Sequence, residues 1–277
     1  MQNAAIAALK LNWRYLAFEV HPDNLRAAIE GAKTMRFVGL NLTVPHKLMA
    51  LDMVDMVDAR AKLWGAINTI VFETHDAEGA WIPLAKAKDD AIKEVRSHGF
   101  NTDADALVQS LKEDFKWPDL RGAHVLLLGA GGAARSAALR LAEEEVGTIF
   151  LVNRTEERAR QLADNIAACY PRLIIRHGYP ADPVDLAVNA TSLGLKPNDP
   201  LPIDLEWLKS RRPARVYDMI YRPKETALLR AAKAAGCQVA NGLGMLLYQG
   251  AESLKLWSGA APPMQIMRDA LEKHLHD

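Results

Sequence analysis

From residue 121 to residue 240, short apolar runs alternate with amphipathic stretches, and this alternation constrains the fold more than any other feature of the chain. "HVLLL" (124–128), "TIFLV" (148–152), "DLAVNA" (185–190), "ARVYDMI" (214–220) and "CQVA" (237–240) are spaced by helix-patterned segments such as "AARSAALRLAEEE", "EERARQLADNIAAC" and "ETALLRAAKAAG". Strands apolar on both faces and joined by helices predict a parallel sheet covered on both sides, a doubly wound α/β domain.

The first hundred residues predict a second, smaller α/β unit. It has a helical start to about Leu11, a strand "WRYLAFEV" (13–20), a helix opened by Asp23, and a strand from Phe37 to Val44. Pro45 then starts a helix whose apolar face is Leu48, Leu51, Val54, Val57 and Ala61. Lys47 falls in that helix's first turn, where a cation costs ~0.3–1 kcal/mol against the macrodipole. Between Ile70 and Phe100, "THDAEG" is turn-like and "AKAKDDAIKEVRSHG" predicts a charged, exposed helix, together read as an insertion. The tail holds two helices separated by Gly259 and Pro262–Pro263, with no strand between them, so they are expected to pack back on the first unit. The expected division is a first domain over 1–104, a second over 105–243, and C-terminal helices over 244–277.

Lys plus Arg and Asp plus Glu are both 34 in 277 residues, so the net charge is zero and no basic field exists to attract nucleic acid or anionic lipid. No apolar run approaches a membrane span, and "MQNAAIAALKLNW" lacks the pattern of a secretory signal. A cytoplasmic protein is expected. Cys169 and Cys237 form no metal spacing or disulfide framework, and the eight histidines show no paired-ligand spacing, so no metal is expected.

"GAGGAA" (129–134) follows an apolar strand and opens a helix, matching G-x-G-x-x-A at Gly129, Gly131 and Ala134. Such glycines allow a tight turn and close backbone approach of a pyrophosphate to the helix N-terminus. After the second strand comes "NRTEER" (153–158), not the acidic residue that would accept from a ribose 2′-hydroxyl. Asn153, Arg154, Thr155 and Arg158 offer donors and positive charge, which favours NADP over NAD. The alternative is that Arg154 and Arg158 form ion pairs with Glu156 and Glu157 on a solvated face. Asp103 in "NTD" (101–103) opens the next helical stretch, and from the residues alone a plain helix N-cap is its favoured reading. No G-x-S-x-G nucleophile elbow occurs.

Taken in order, "NLTVPHK", "GAINT", "NTD", "GAGGAAR", "NRT", "NATSLGL", "DMIYRPKET" and "NGLGMLLYQGA" resemble the shikimate dehydrogenase family from about residue 2 to about residue 270. The resemblance implies a two-domain fold, with a Rossmann-like NADP domain and a smaller α/β substrate domain completed by the C-terminal helices. It implies NADP-dependent, reversible reduction of 3-dehydroshikimate to shikimate, a step in chorismate and aromatic amino acid biosynthesis, by a monomer or homodimer. Matching motifs imply that Lys47 and Asp103 are the catalytic pair, and that Asn41, Thr43, Asn68, Tyr221 and Gln249 hold the substrate. They put Gly129, Gly131, Gly132 and Ala133 on the cofactor phosphates, and Asn153, Arg154, Thr155 and Arg158 around the 2′-phosphate. Thr191, Ser192, Met219, Gly242 and Met245 are implied to line the rest of the cofactor site. Quinate or aminoshikimate dehydrogenase, or a catalytically impaired nucleotide-binding relative, are the alternative activities.

The pair has a chemical rationale. Hydride addition to a carbonyl leaves an alkoxide that needs a proton from a nearby acid. Desolvation and a positive helix end both favour release of a lysine's proton, while Asp103 favours the charged form and fixes the ammonium. Three features depart from the family. Its first strand and S-x-S-P loop have no counterpart before Met1-Gln2-Asn3, so weakened substrate binding is expected. The 31 residues between Thr69 and Asn101 exceed the usual hairpin, and Ala104 and Ala106 stand where glycine is common.

Overall fold

The computed structural model describes residues 1–88 and 92–273 and forms two compact units, Met1–Asp103 with Leu247–Asp277, and Ala104–Leu246. In the second unit, six strands form an entirely parallel sheet in the order β11-β10-β9-β6-β7-β8. These are β6 (His124–Leu128), β7 (Thr148–Val152), β8 (Ile174–His177), β9 (Leu186–Asn189), β10 (Arg215–Asp218) and β11 (Gln238–Asn241). Val125 to Leu128 and Leu186 to Val188 are buried, as expected of strands covered on both faces. The covering helices are α5 (Asp103–Asp114), α6 (Gly132–Glu143), α7 (Glu156–Cys169), α8 (Leu205–Arg211) and α9 (Ala227–Ala234), with the start of α10 (Leu243–Ser258). On one face Leu126, Leu128, Ala187 and Val216 pack against Trp207, Leu208, Leu228 and Leu229, each large apolar side chain contributing about 1.5–3 kcal/mol. Strand β8 was not anticipated: it is an edge strand with Ile174 half exposed, so its apolar signal is weak.

The first unit holds a mixed sheet, β1-β3-β5-β2, with β4 paired to β3. Its strands are β1 (Gly39–Asn41), β2 (Met56–Val57), β3 (Thr69–His75), β4 (Trp81–Pro83) and β5 (Arg96–Phe100). Helices α1 (Gln2–Ala8), α2 (Leu25–Thr34), α3 (His46–Met49), α4 (Ala59–Trp64) and α11 (Met264–Lys273) accompany it. Leu25, Ile29 and Ala32 of α2 pack with Ile67, Ile70 and Phe72, while Ala5 and Ile6 of α1 pack with Leu247, Ala251, Leu254 and Met267.

Four local expectations are corrected here. Residues 13–20 form no strand, and Leu16 and Phe18 are each 64% exposed. The alternation is present, but the Asn3 side chain, not a neighbouring strand, brackets Tyr15, accepting from its N–H at 2.8 Å and donating to its C=O at 2.9 Å. The strand expected from Phe37 to Val44 is only Gly39–Asn41. The helix expected from Pro45 to Ala61 is broken into α3, a 3₁₀ turn (Ala50–Asp52), β2 and α4. Asp55 accepts from the N–H and hydroxyl of Ser97 at 2.7 and 2.8 Å, which draws this stretch onto β5, and Asp58 caps α4 afresh. The charged helix expected over 85–99 is absent from its described residues, which form a 3₁₀ turn (Leu84–Lys86) and then β5; Asp89, Asp90 and Ala91 lie outside the described residues. Period two wins at its end because Arg96 and His98 both face Glu73 on β3.

Glu73 yields a pH prediction. Burial pushes its carboxyl up, but hydrogen bonds from His98 and Arg96, and their charges, outweigh it and hold the group below the usual range. A depressed native value stabilises the fold above the unfolded carboxyl value of about 4.3 and loses that contribution as pH falls through the lower native one. Thermal melts between about pH 5 and pH 3 are therefore expected to fall more steeply for the parent than for Glu73→Gln. Parallel curves would show that Glu73 is not a source of acid sensitivity.

Candidate functional site

In the first unit, α3 and the start of α5 bring Lys47 and Asp103 together, with Lys47 Nζ 2.7 Å from Asp103 Oδ2. Their side chains keep 30% and 15% of their exposure, so the pair is sheltered but reachable from solvent. The Ile67 N–H donates to the Lys47 C=O at 2.9 Å, fixing the lysine's backbone against the segment that precedes β3. Asp103's other oxygen, Oδ1, accepts from Asn68 Nδ2 at 3.0 Å. Whatever it does as a cap, Asp103 is thus the hub of a side-chain network.

Asn68 is buried at the start of β3, and its Nδ2 also lies 2.9 Å from Thr102 Oγ1 and 3.3 Å from Gln249 Oε1. Its Oδ1 accepts from the Thr102 N–H at 2.8 Å. Asn41 Nδ2 donates to Thr69 Oγ1 and Ser253 Oγ, both at 3.0 Å, and Asn41 Oδ1 accepts from the Tyr15 hydroxyl at 2.9 Å. Lys47, Asp103, Asn41, Asn68 and Gln249 therefore share one polar cluster. Thr43 is exposed in the loop before α3 and supplies its C=O to the His46 N–H. Tyr221 belongs to the other unit and is 40% exposed. Sequence reasoning missed Tyr15, Thr69, Thr102 and Ser253. Thr69 and Thr102 lie within "GAINT" and "NTD", but Ser253 and Tyr15 carry no local signal.

In the second unit the anticipated cofactor residues all follow the C-terminal ends of strands. Gly129 comes after β6, Asn153 after β7, Thr191 and Ser192 after β9, Met219 after β10 and Gly242 after β11. The strand order reverses between β6 and β9, and open α/β sheets bind ligands at such a switch point. Gly129 has φ +112°, and a Cβ there would press on the Ala190 C=O and Thr191 at 3.1 Å, so only glycine permits this turn. Gly131 caps α6 without a side-chain hydrogen bond, and a Cβ there would meet nothing within 4 Å. Gly131 thus leaves the start of a twelve-residue helix uncrowded, and the first N–H groups of such a helix, those of Gly132 and Ala133 among them, have no acceptor within the helix and suit a phosphate.

Asn153 Nδ2 donates to the Thr155 C=O at 2.8 Å, shaping the turn into α7. The ion pairs considered for the arginines do not form: Glu156 pairs with Arg160 at 3.4 Å and Glu157 accepts from Gln161 at 3.2 Å. Among the described residues, Arg154 and Arg158 are exposed and make no ion pair. Beneath the loop after β9, buried Asp218 accepts from Asn189 Nδ2 (2.9 Å) and Thr226 Oγ1 (2.6 Å), while Asn189 Oδ1 accepts from the Thr191 N–H and hydroxyl. Burial pushes the Asp218 carboxyl up despite these donors. No group of three or more metal-ligating side chains occurs, and no helix is long and apolar enough to cross a membrane, among the described residues.

Comparison with known proteins agrees with both halves. The family model for the shikimate dehydrogenase substrate binding domain matches residues 1–70, that for shikimate/quinate 5-dehydrogenase matches 110–177, and that for the shikimate 5′-dehydrogenase C-terminal domain matches 242–272. The shikimate dehydrogenase (NADP⁺) of Methanopyrus kandleri is 36% identical over 99% of this chain and 90% of its own length. The shikimate dehydrogenase (NADP⁺) of Methanosarcina acetivorans is 41% identical over 97% of this chain and 90% of its own. The structure of shikimate 5-dehydrogenase from Thermus thermophilus, in complex with NADP(H) and shikimate, superposes with a TM-score of 0.79 at 33% identity, covering 98% of this chain and 92% of that one. With relatives this similar along nearly its whole length, the chain belongs to the shikimate dehydrogenase family.

Proposed function

We propose that this protein catalyses the reversible, NADP-dependent reduction of 3-dehydroshikimate to shikimate, feeding chorismate and aromatic amino acid synthesis in the cytoplasm as a monomer or homodimer. The observation that carries the reading is the Lys47–Asp103 contact at 2.7 Å, sheltered yet accessible, in a chain with a glycine turn and an uncrowded helix start after β6. NADP, when bound, supplies reversible hydride exchange with a carbon of the substrate.

This chain's own residues handle the proton. As the carbonyl oxygen gains an electron pair, the Lys47 ammonium donates a proton to it; in the reverse direction the neutral amine takes the hydroxyl proton. An ammonium has three donors, and Asp103 occupies one while holding the group in place. Gln249 presents an amide group beside the pair, suited to the substrate's hydroxyls, with Thr43 and Tyr221 as exposed polar groups, while buried Asn68 positions Asp103 and Gln249 through its own amide. Asn41 acts mainly by orientation, since its amide and carbonyl are engaged by Thr69, Ser253 and Tyr15. Gly129, Gly131, Gly132 and Ala133 hold the pyrophosphate, Asn153, Arg154, Thr155 and Arg158 the 2′-phosphate, and Thr191, Ser192, Met219, Gly242 and Met245 line the remaining cofactor surface.

The test is formation of reduced nicotinamide from shikimate and NADP, with quinate and NAD as competitors. Shikimate with NADP is expected to exceed either substitution by at least about tenfold in kcat/KM, because a site built to pair polar groups rejects a mismatched partner strongly. Faster turnover of quinate would reassign the substrate. Absence of turnover with every combination, while NADP still binds, would leave a nucleotide-binding relative.

A further inference from the structure

The motif "NGLGMLLYQ" opens α10, and its two glycines have a steric cause. A Cβ on Gly242 would collide with the Met219 carbonyl after β10, and one on Gly244 with Ser110 Oγ on α5. The first turn of α10 is thereby seated on the end of β10 and the side of α5, all within the second unit. Under that seat lies a chain of hydrogen bonds whose direction the chemistry settles. Ser110 Oγ donates to Asp114 Oδ2 at 2.7 Å, a carboxylate oxygen that only accepts. A serine has a single hydroxyl proton, so in the 2.9 Å contact between Ser110 and Tyr217 the tyrosine is the donor. Burial pushes the Tyr217 hydroxyl far up and keeps it protonated. Above it starts α10, whose first four N–H groups a helix cannot satisfy internally. The Asn241 side chain covers the first of these, accepting from the Leu243 N–H at 3.0 Å.

We propose that Tyr217 is a positioning residue for the cofactor site: with Asp114, its hydroxyl fixes Ser110 Oγ, on which Gly244 is seated, and hence the surface that Gly242 and Met245 present on the first turn of α10. This rests on the reading above that these two residues line the cofactor. The relay runs Tyr217 O–H to Ser110 O–H to the Asp114 carboxylate, each bond polarising the next. The phenol acts on that surface through Ser110 and the helix seated on it.

The experiment compares Tyr217→Phe with the parent in shikimate oxidation, measuring KM for NADP, KM for shikimate, kcat and the melting temperature. The expected result is a rise of about three- to tenfold in KM for NADP, with KM for shikimate within about twofold, as loss of one buried hydrogen bond implies. Ser110→Ala, which keeps the Tyr217 ring and its packing, is expected to move the same constant in the same direction by a comparable factor. Asp114→Asn retains an acceptor oxygen and is expected to remain near the parent, whereas Asp114→Ala is expected to follow Ser110→Ala. A lowered melting temperature with unchanged KM for NADP in both Tyr217→Phe and Ser110→Ala would overturn the proposal, leaving the cluster as structural support only. If Tyr217→Phe does not fold, Ser110→Ala and the two Asp114 variants decide by the same criterion. A parent enzyme that neither binds nor uses NADP would instead refute the underlying cofactor assignment.

Discussion

Lys47→Met is expected to lower kcat for shikimate oxidation by about 10²- to 10⁴-fold, the range that positioned acid–base groups contribute, while NADP affinity changes by less than about twofold. The side chain lies 2.7 Å from Asp103 in the first unit, whereas the residues assigned to the cofactor lie in the second. Methionine keeps much of the apolar stem and removes the proton and the charge. Asp103 would keep the Asn68 amide at 3.0 Å, so the carboxylate is not stranded and the local fold should survive. Lys47→Arg separates charge from proton transfer. A guanidinium still pairs with Asp103 but does not deprotonate in the accessible pH range, so binding should be retained and turnover lost. If Lys47→Met kept more than about a tenth of the parental kcat, general-acid catalysis of the size quoted would be excluded and the proton would have to travel by another route.

The second unit was legible because its signals are local. "HVLLL" is buried on both faces, the turn at Gly129 requires glycine, and the apolar residues of α7 recur at helical spacing, so each element announces itself within about a dozen residues. The first unit was harder because its chain path is set by distant partners. Asp55 is taken by Ser97, 42 residues on, and that single interaction breaks what the periodicity between Leu48 and Ala61 reads as one helix. Lys47 accordingly lies in a four-residue helix, too short to build the macrodipole that made a cation there look costly. What accounts for the lysine is Asp103, 56 residues away. The residues themselves favoured Asp103 as a plain helix cap, and its pairing with Lys47 comes through the resemblance alone. The hydroxyl cluster of Thr69, Thr102 and Ser253 shows the same limit: isolated polar side chains carry no period, and only the fold makes them neighbours.

The double variant Arg154→Ala with Arg158→Ala is expected to raise KM for NADP by about 10²-fold and KM for NAD by less than about threefold, since each charge-assisted bond to phosphate is worth about 1.5–3 kcal/mol. Both guanidiniums are exposed after β7, and their acidic neighbours are engaged elsewhere, Glu156 with Arg160 and Glu157 with Gln161. They are therefore available to an anion, which an arginine already neutralised by a carboxylate would not be. The preference should also weaken with salt, because exposed charges are screened over about 8 Å at physiological ionic strength. The discriminating quantity is the NADP/NAD ratio of kcat/KM, which cancels any general damage to the turn that Asn153 braces against Thr155. An equal loss with both cofactors would mean that the arginines maintain the loop and do not read the 2′-phosphate, and the basis of NADP preference would then have to lie with Asn153 and Thr155.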